Sequence, residues 1–194
     1  MTVSGLGDFA LGQSVPSREH AVCVSLPKVQ DLIGYEEKNH KTLSAMKSGY
    51  PRFIQHHFIR KVIQLEEEDS NEYTGKSFIF ANYHHCQEAL NRFSVQNYTI
   101  QERENYTWLQ LASGSDQIEN ISSFIQHIGA SLSSRHAEEI LLHQGVIRDR
   151  EEITEQDNPD QYAREIIAQV HGTGVSAERV LISSSGANAF YSLF

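Results

Sequence analysis

The chain has 194 residues, 39% hydrophobic and 21% charged, and its 16 basic and 25 acidic side chains give a formal net charge of −9. That length buries the core of one domain, or of one and a half, and 9% aromatic content argues against a disordered chain. The acidic balance opposes general nucleic-acid binding, and no apolar run reaches the roughly 18–20 residues of a membrane span, although a small local anion site is compatible with both.

In chain order, the first 25 residues are rich in Gly, Ser and Thr, hold no lasting period and read as an arm. Met1 to Ser17 lacks the basic start and apolar stretch of a signal peptide, and two cysteines (Cys23 and Cys86) suit reduced thiols. Both features point to a cytoplasmic protein. Asp31 to Tyr50 reads as an irregular approach followed by one or two helical turns. Gln55 to Glu68 places Phe58, Ile59, Val62, Ile63 and Leu65 on one face of a helix. The run Glu66-Glu67-Glu68-Asp69 then reads as its solvated end, without a function.

Ser77 to Ala81 (SFIFA) is a short apolar strand, His84 to Phe93 a helix, and Tyr106 to Leu111 (YTWLQL) a strand with Trp108 in the core. Ile118, Ile121, Ile125 and Ile128 recur at helical offsets, so 116–128 is a helix. Ser133 to His143 is another, with Ser133 or Ser134 as N-cap and Gly145 past its end. Arg148 to Asp160 is acidic and polar and reads as a linker. Gln161 to His171 is a helix with Tyr162, Ile166 and Val170 on one face, broken by Gly172 and Gly174. Val180 to Ile182 is expected as a strand, Ser183 to Ala187 as a small-residue turn, and Asn188 to Phe194 as the start of a helix. Alternating strand and helix signals make the class α/β or α+β.

Two stretches suit an anion. In Ser183-Ser184-Ser185-Gly186-Ala187 a strand runs through small residues into a helix, whose first turn offers unpaired N–H groups and partial positive charge. An ordinary N-capped helix has the same spacing and is the plainer reading. In Gly49-Tyr50-Pro51-Arg52 a phenol and a guanidinium flank a fixed proline, and both donate to phosphate oxygens. A turn whose arginine pairs with a surface acid looks no different. Thr74-Gly75-Lys76-Ser77 ends like a P-loop, but Ser70 stands where its first glycine belongs. His56-His57 and His84-His85-Cys86 lack helical zinc-ligand spacing and an acidic or cysteine partner at a regular distance, so they read as surface or core histidines and no metal is expected. Ser-His-Asp catalysis has no nucleophile-elbow pattern.

Together, three ordered blocks resemble the fungal-type branch of cystathionine gamma-synthases, pyridoxal-phosphate (PLP) enzymes of cysteine and methionine metabolism. They are His20-Ala21-Val22-Cys23-Val24-Ser25-Leu26-Pro27, Gly34-Tyr35-Glu36-Glu37, and Met46-Lys47-Ser48-Gly49-Tyr50-Pro51-Arg52-Phe53. Gln126-His127-Ile128-Gly129 with Ser133-Ser134-Arg135 resembles the same branch, and Val180 to Phe194 resembles the strand–turn–helix that opens the cofactor domain. The resemblance implies an α/β fold, the N-terminal part of a fold-type I PLP-dependent transferase truncated at the start of the cofactor-binding domain. It divides the chain into an arm (1–53) with a Tyr-x-Arg phosphate contact, an inserted or accessory α/β region (54–147), a linker (148–160) and the beginning of the PLP domain (161–194).

By the same resemblance, Ser185, Gly186 and Ala187 lie on the turn that holds the cofactor phosphate, with alanine where the family has methionine. Tyr50 and Arg52 lie on the pair that reaches the phosphate of the neighbouring subunit, which implies a composite site in a homo-oligomer. The family's Schiff-base lysine follows the phosphate turn, whereas Lys28, Lys38, Lys41, Lys47, Lys61 and Lys76 all precede Ser185. No catalytic residue is therefore expected here, and the chain is expected to be inactive alone. The implied parent activity is gamma-replacement on an activated homoserine ester by cysteine, in transsulfuration and methionine biosynthesis, with amino-acid substrates. Two alternatives are a C–S lyase of the same family and a non-catalytic remnant or regulatory subunit that pairs with a full-length paralogue.

Overall fold

A computed structural model describes residues 9–21, 23–46, 54–70, 75–152, 156–172, 174–183 and 186–191, without the side chains of 186–188. Met1–Gln126 with Ala130–Arg150 forms one compact unit, and His127–Gly129 with Glu151–Phe194 forms another.

The first unit begins with two short strands and two short helices. Strands β1 (Ser14–Val15) and β2 (Cys23–Val24) pair antiparallel. Helices α1 (Val29–Glu36) and α2 (His40–Ser44) follow them. Close packing rather than periodicity organises this segment. Gly12 has φ +75°, and a Cβ there would stand 2.1 Å from the Ala45 carbonyl oxygen. At Gly34 a Cβ would stand 2.4 Å from the Thr42 hydroxyl, so each glycine marks a place where only hydrogen fits.

The centre is a three-stranded antiparallel sheet of β3 (Gly75–Phe80), β4 (Tyr98–Glu102) and β5 (Thr107–Ala112) in the order β3-β5-β4. Its register pairs Ile79 with Trp108 and Phe78 with Leu109. Alternation then sends Ile79, Tyr106 and Trp108 to one face, where Ile59 and Val62 of α3 (His57–Asp69) and Ala137, Ile140 and Leu141 of α6 (Ser134–His143) complete a core. Trp108 is 1% exposed, as its strand pattern predicts. Phe78, Phe80, Leu109 and Leu111 point to the opposite face and are also buried. Helix α4 (Tyr83–Arg92) packs on β3 and β5 through this region, with Cys86, Ala89 and Leu90 buried. Helix α5 (Ile118–Ile128) buries Ile121 and Phe124, and Phe124 meets Phe93 edge-on at 6.1 Å. The Ser133 side chain caps α6 by accepting the His136 N–H, and Gly145 turns out of it with φ +71°.

The second unit contains α7 (Pro159–His171), a 3-10 turn (Ala177–Arg179) and α8 (Gly186–Tyr191). Asn158 caps α7, Pro159 opens it and Gly172 ends it with φ +92°. Two expectations change here. Val180 to Ile182 forms no strand, because no neighbouring strand among the described residues pairs with it; Val180 is buried, yet Leu181 is 83% exposed. The last helix also starts at Gly186, inside the expected turn. The described structure thus combines helices with small antiparallel sheets.

Candidate functional site

The described side chains with the most chemistry gather where the N-terminal segment meets α3 and α6. Ser134 and Glu138 stand one helical turn apart on α6, so both face the same way. Between them they hold His20: Nδ1 lies 2.9 Å from Ser134 Oγ, and Nε2 lies 3.0 Å from Glu138 Oε2. An ionised carboxylate only accepts, so Nε2–H donates to Glu138 and the Ser134 hydroxyl donates to Nδ1. Serine, histidine and glutamate in series resemble a hydrolytic triad. The His20 and Glu138 side chains are only 4% and 6% exposed, however, so two of the three groups are shut away from solvent. The trio is a clamp that fastens residue 20 to a helix 114 positions later.

A second histidine group adjoins it. His56 precedes α3 and uses its ring as a cap, with Nδ1 accepting the Phe58 N–H at 3.2 Å and Nε2–H donating to the Glu19 carbonyl at 3.0 Å. Its ring stacks on His20 at 5.6 Å. Burial holds the His56 pKa below the ordinary histidine value, helped by the neighbouring His57 and His20 and opposed by the bond to the Glu19 backbone. His57 Nε2 meets the Glu19 carboxylate in close contact. Glu19, His56 and His57 bring their donor atoms within 4.8 Å of one another. Sequence spacing hid this group because Glu19 lies 37 and 38 positions before the two histidines. Only folding of the N-terminal segment onto α3 supplies the acid that the histidine pair lacks.

Glu66 is the other correction. It does not end a solvated run but is 7% exposed, receiving Arg103 Nε and Nη2 at 3.0 and 2.6 Å and the Tyr106 hydroxyl at 2.5 Å. Burial and this carboxylate push the Tyr106 pKa well above its ordinary value, because ionising the phenol would oppose two negative charges. Elsewhere, Ser94, Asn97, Ser113, Ser115 and Asp116 line a half-open polar cleft of about 440 Å³.

Of the expected cofactor contacts, Tyr50, Arg52 and Ser185 lie outside the described residues. Gly186 and Ala187 are the first two residues of α8. No described helix is long and apolar enough to cross a membrane.

No family model and no solved structure matches this sequence. Among curated proteins it is 28% identical to an L-2-amino-4-chloropent-4-enoate dechlorinase/desaturase of Streptantibioticus cattleyicolor, over 94% of this chain and 37% of that one. A Saccharomyces cerevisiae protein with a provisional cystathionine gamma-synthase name is 31% identical over 68% of this chain and 23% of its own. The cystathionine gamma-synthase of Neurospora crassa is 45% identical over 31% of this chain and 9% of its own. The matched part of the chain thus spans 37% or less of the length of these relatives. Together they support kinship with the cysteine and methionine family of pyridoxal-phosphate-dependent enzymes and single out no member of it.

Proposed function

We propose that this chain is the phosphate-anchoring portion of a PLP-dependent enzyme of the cystathionine gamma-synthase type. The observation that carries the reading is similarity along nearly the whole chain, 184 residues, to a relative in the same family as the synthases. Local structure supports it in one respect. Gly186 opens a helix, so its backbone N–H and those that follow have no intrahelical acceptor, and no Cβ at that residue stands between them and an anion. In this reading Ser185, Gly186 and Ala187 hold the cofactor phosphate, and Tyr50 and Arg52 donate to the phosphate of a neighbouring subunit or of a full-length paralogue. Ala187 keeps the N–H that binding needs and lacks only the methionine side chain of the family. Bound PLP supplies an electron sink for reactions at the carbons of an amino acid. The chain's own share is to anchor and orient that group.

The chemistry we assign is gamma-replacement on an activated homoserine ester by cysteine. A second reading, elimination, is favoured by one observation: the relative matched over 94% of the chain is named a dechlorinase/desaturase. One experiment addresses both parts. The native gene product, isolated from its own cell, is incubated with PLP, an O-acyl homoserine and cysteine. Cystathionine release supports replacement, whereas a keto acid without cystathionine supports elimination. Binding of PLP that is no tighter than that of pyridoxal, and unchanged by Arg52→Ala and Ser185→Ala, overturns the phosphate assignment.

A further inference from the structure

We propose that Glu19, His56 and His57 form a binding site for a divalent transition-metal ion of the zinc class, independent of any PLP chemistry. Two imidazole nitrogens and one carboxylate oxygen lie within 4.8 Å of one another. Small rotations of the side chains bring such atoms to the separation of about 3.4 Å that tetrahedral ligands at zinc bond lengths require. The donor set is selective: imidazole with a single carboxylate suits zinc, cobalt and nickel, whereas magnesium and calcium favour all-oxygen shells.

The surroundings are those of a ligand group with one open side. His56 is buried, while the side chains of His57 and Glu19 are 32% and 30% exposed. An ion therefore enters from the His57 side, and three protein ligands leave a fourth position for water. Behind the site, His20 stacks on His56 and is itself fixed by Ser134 and Glu138. Such outer contacts hold a ligand ring in its plane.

His57 Nε2 and the Glu19 carboxylate now contact each other directly, and a cation bound by both takes the place of that contact. Ligation through His56 Nε2 ends its bond to the Glu19 carbonyl and moves the ring proton to Nδ1, which opens the cap from the Phe58 N–H. The bound ion ties the N-terminal segment to the start of α3.

The test uses the whole 194-residue chain, stripped with a chelator and titrated with Zn²⁺ by calorimetry and with Co²⁺ by visible absorption. One Zn²⁺ per chain is expected, with cobalt bands of a four- or five-coordinate nitrogen and oxygen site and a raised melting temperature. Glu19→Gln and His57→Ala should each weaken binding by about tenfold or more. His84→Ala, in the other histidine pair, should leave it unchanged. No stoichiometric binding overturns the proposal, as does binding that survives both substitutions or falls equally with His84→Ala. Glu19→Gln keeps the side-chain shape, so it decides the matter even if His57→Ala fails to fold.

Discussion

Helices α3 and α7 have 13 residues each and similar amphipathic patterns, yet they end in opposite environments. In α3 the apolar face meets the sheet and α6, and Ile59 and Val62 are 6% and 1% exposed. In α7 the corresponding face leaves Tyr162, Ile166 and Val170 at 49%, 42% and 79%, with only Ala168 buried. Periodicity thus specifies which face seeks cover, whereas burial depends on what the rest of the chain brings there. Helix α7 is held instead by its caps and by Arg164, which pairs with Asp160 at 2.6 Å and donates to the Val180 carbonyl.

Mutations sharpen that contrast, beginning with the largest effect. Trp108→Ala empties the centre of the first unit and should cost about 3–5 kcal/mol in denaturant unfolding. A loss below 1 kcal/mol would mean that the sheet face is not the stabilising core. Glu66→Ala leaves the nearly buried Tyr106 hydroxyl without its acceptor and should cost about 1–3 kcal/mol, most of it removed in a Tyr106→Phe background. Ser133→Ala removes the cap of α6 and should cost about 1 kcal/mol. On α7, Ile166→Ser and Val170→Ser should change stability by about 0.5 kcal/mol or less and should reduce self-association in light scattering, since both side chains already face solvent. A large destabilisation there would show that something covers that face in solution.

Titration probes the same division. Burial pushes the Cys86 thiol up to about 12, whereas Cys23 is exposed, so a thiol reagent at pH 8 should modify Cys23 fast and Cys86 only on unfolding. The raised Tyr106 pKa carries a sign. Between its unfolded value near 10 and its higher folded value, only the unfolded chain has released the proton, so stability falls as pH rises above about 10. Tyr106→Phe should flatten that alkaline limb.

Much of this was legible in local patterns. The faces of α3 and α5, the Trp108 strand, a serine cap at Ser133 or Ser134 and the breaks at Gly145 and Gly172 depend on residues within a turn or two of one another, so the sequence alone determined them, leaving the structure to choose Ser133. Strand β4 was less visible because it is an edge strand with exposed ends and a weak apolar alternation. Other features rest on partners far away in the chain. Glu66 sits in a run of four acids, and its burial depends on Arg103 and Tyr106 arriving about 40 positions later. Val180 to Ile182 has strand-like residues but no ladder, because backbone pairing needs a second strand that local sequence cannot supply. Glu19 becomes the partner of His56 and His57 only when the N-terminal segment folds back on α3. Local steric and capping preferences are written in neighbouring residues, while charge burial and ligand geometry are set by long-range packing.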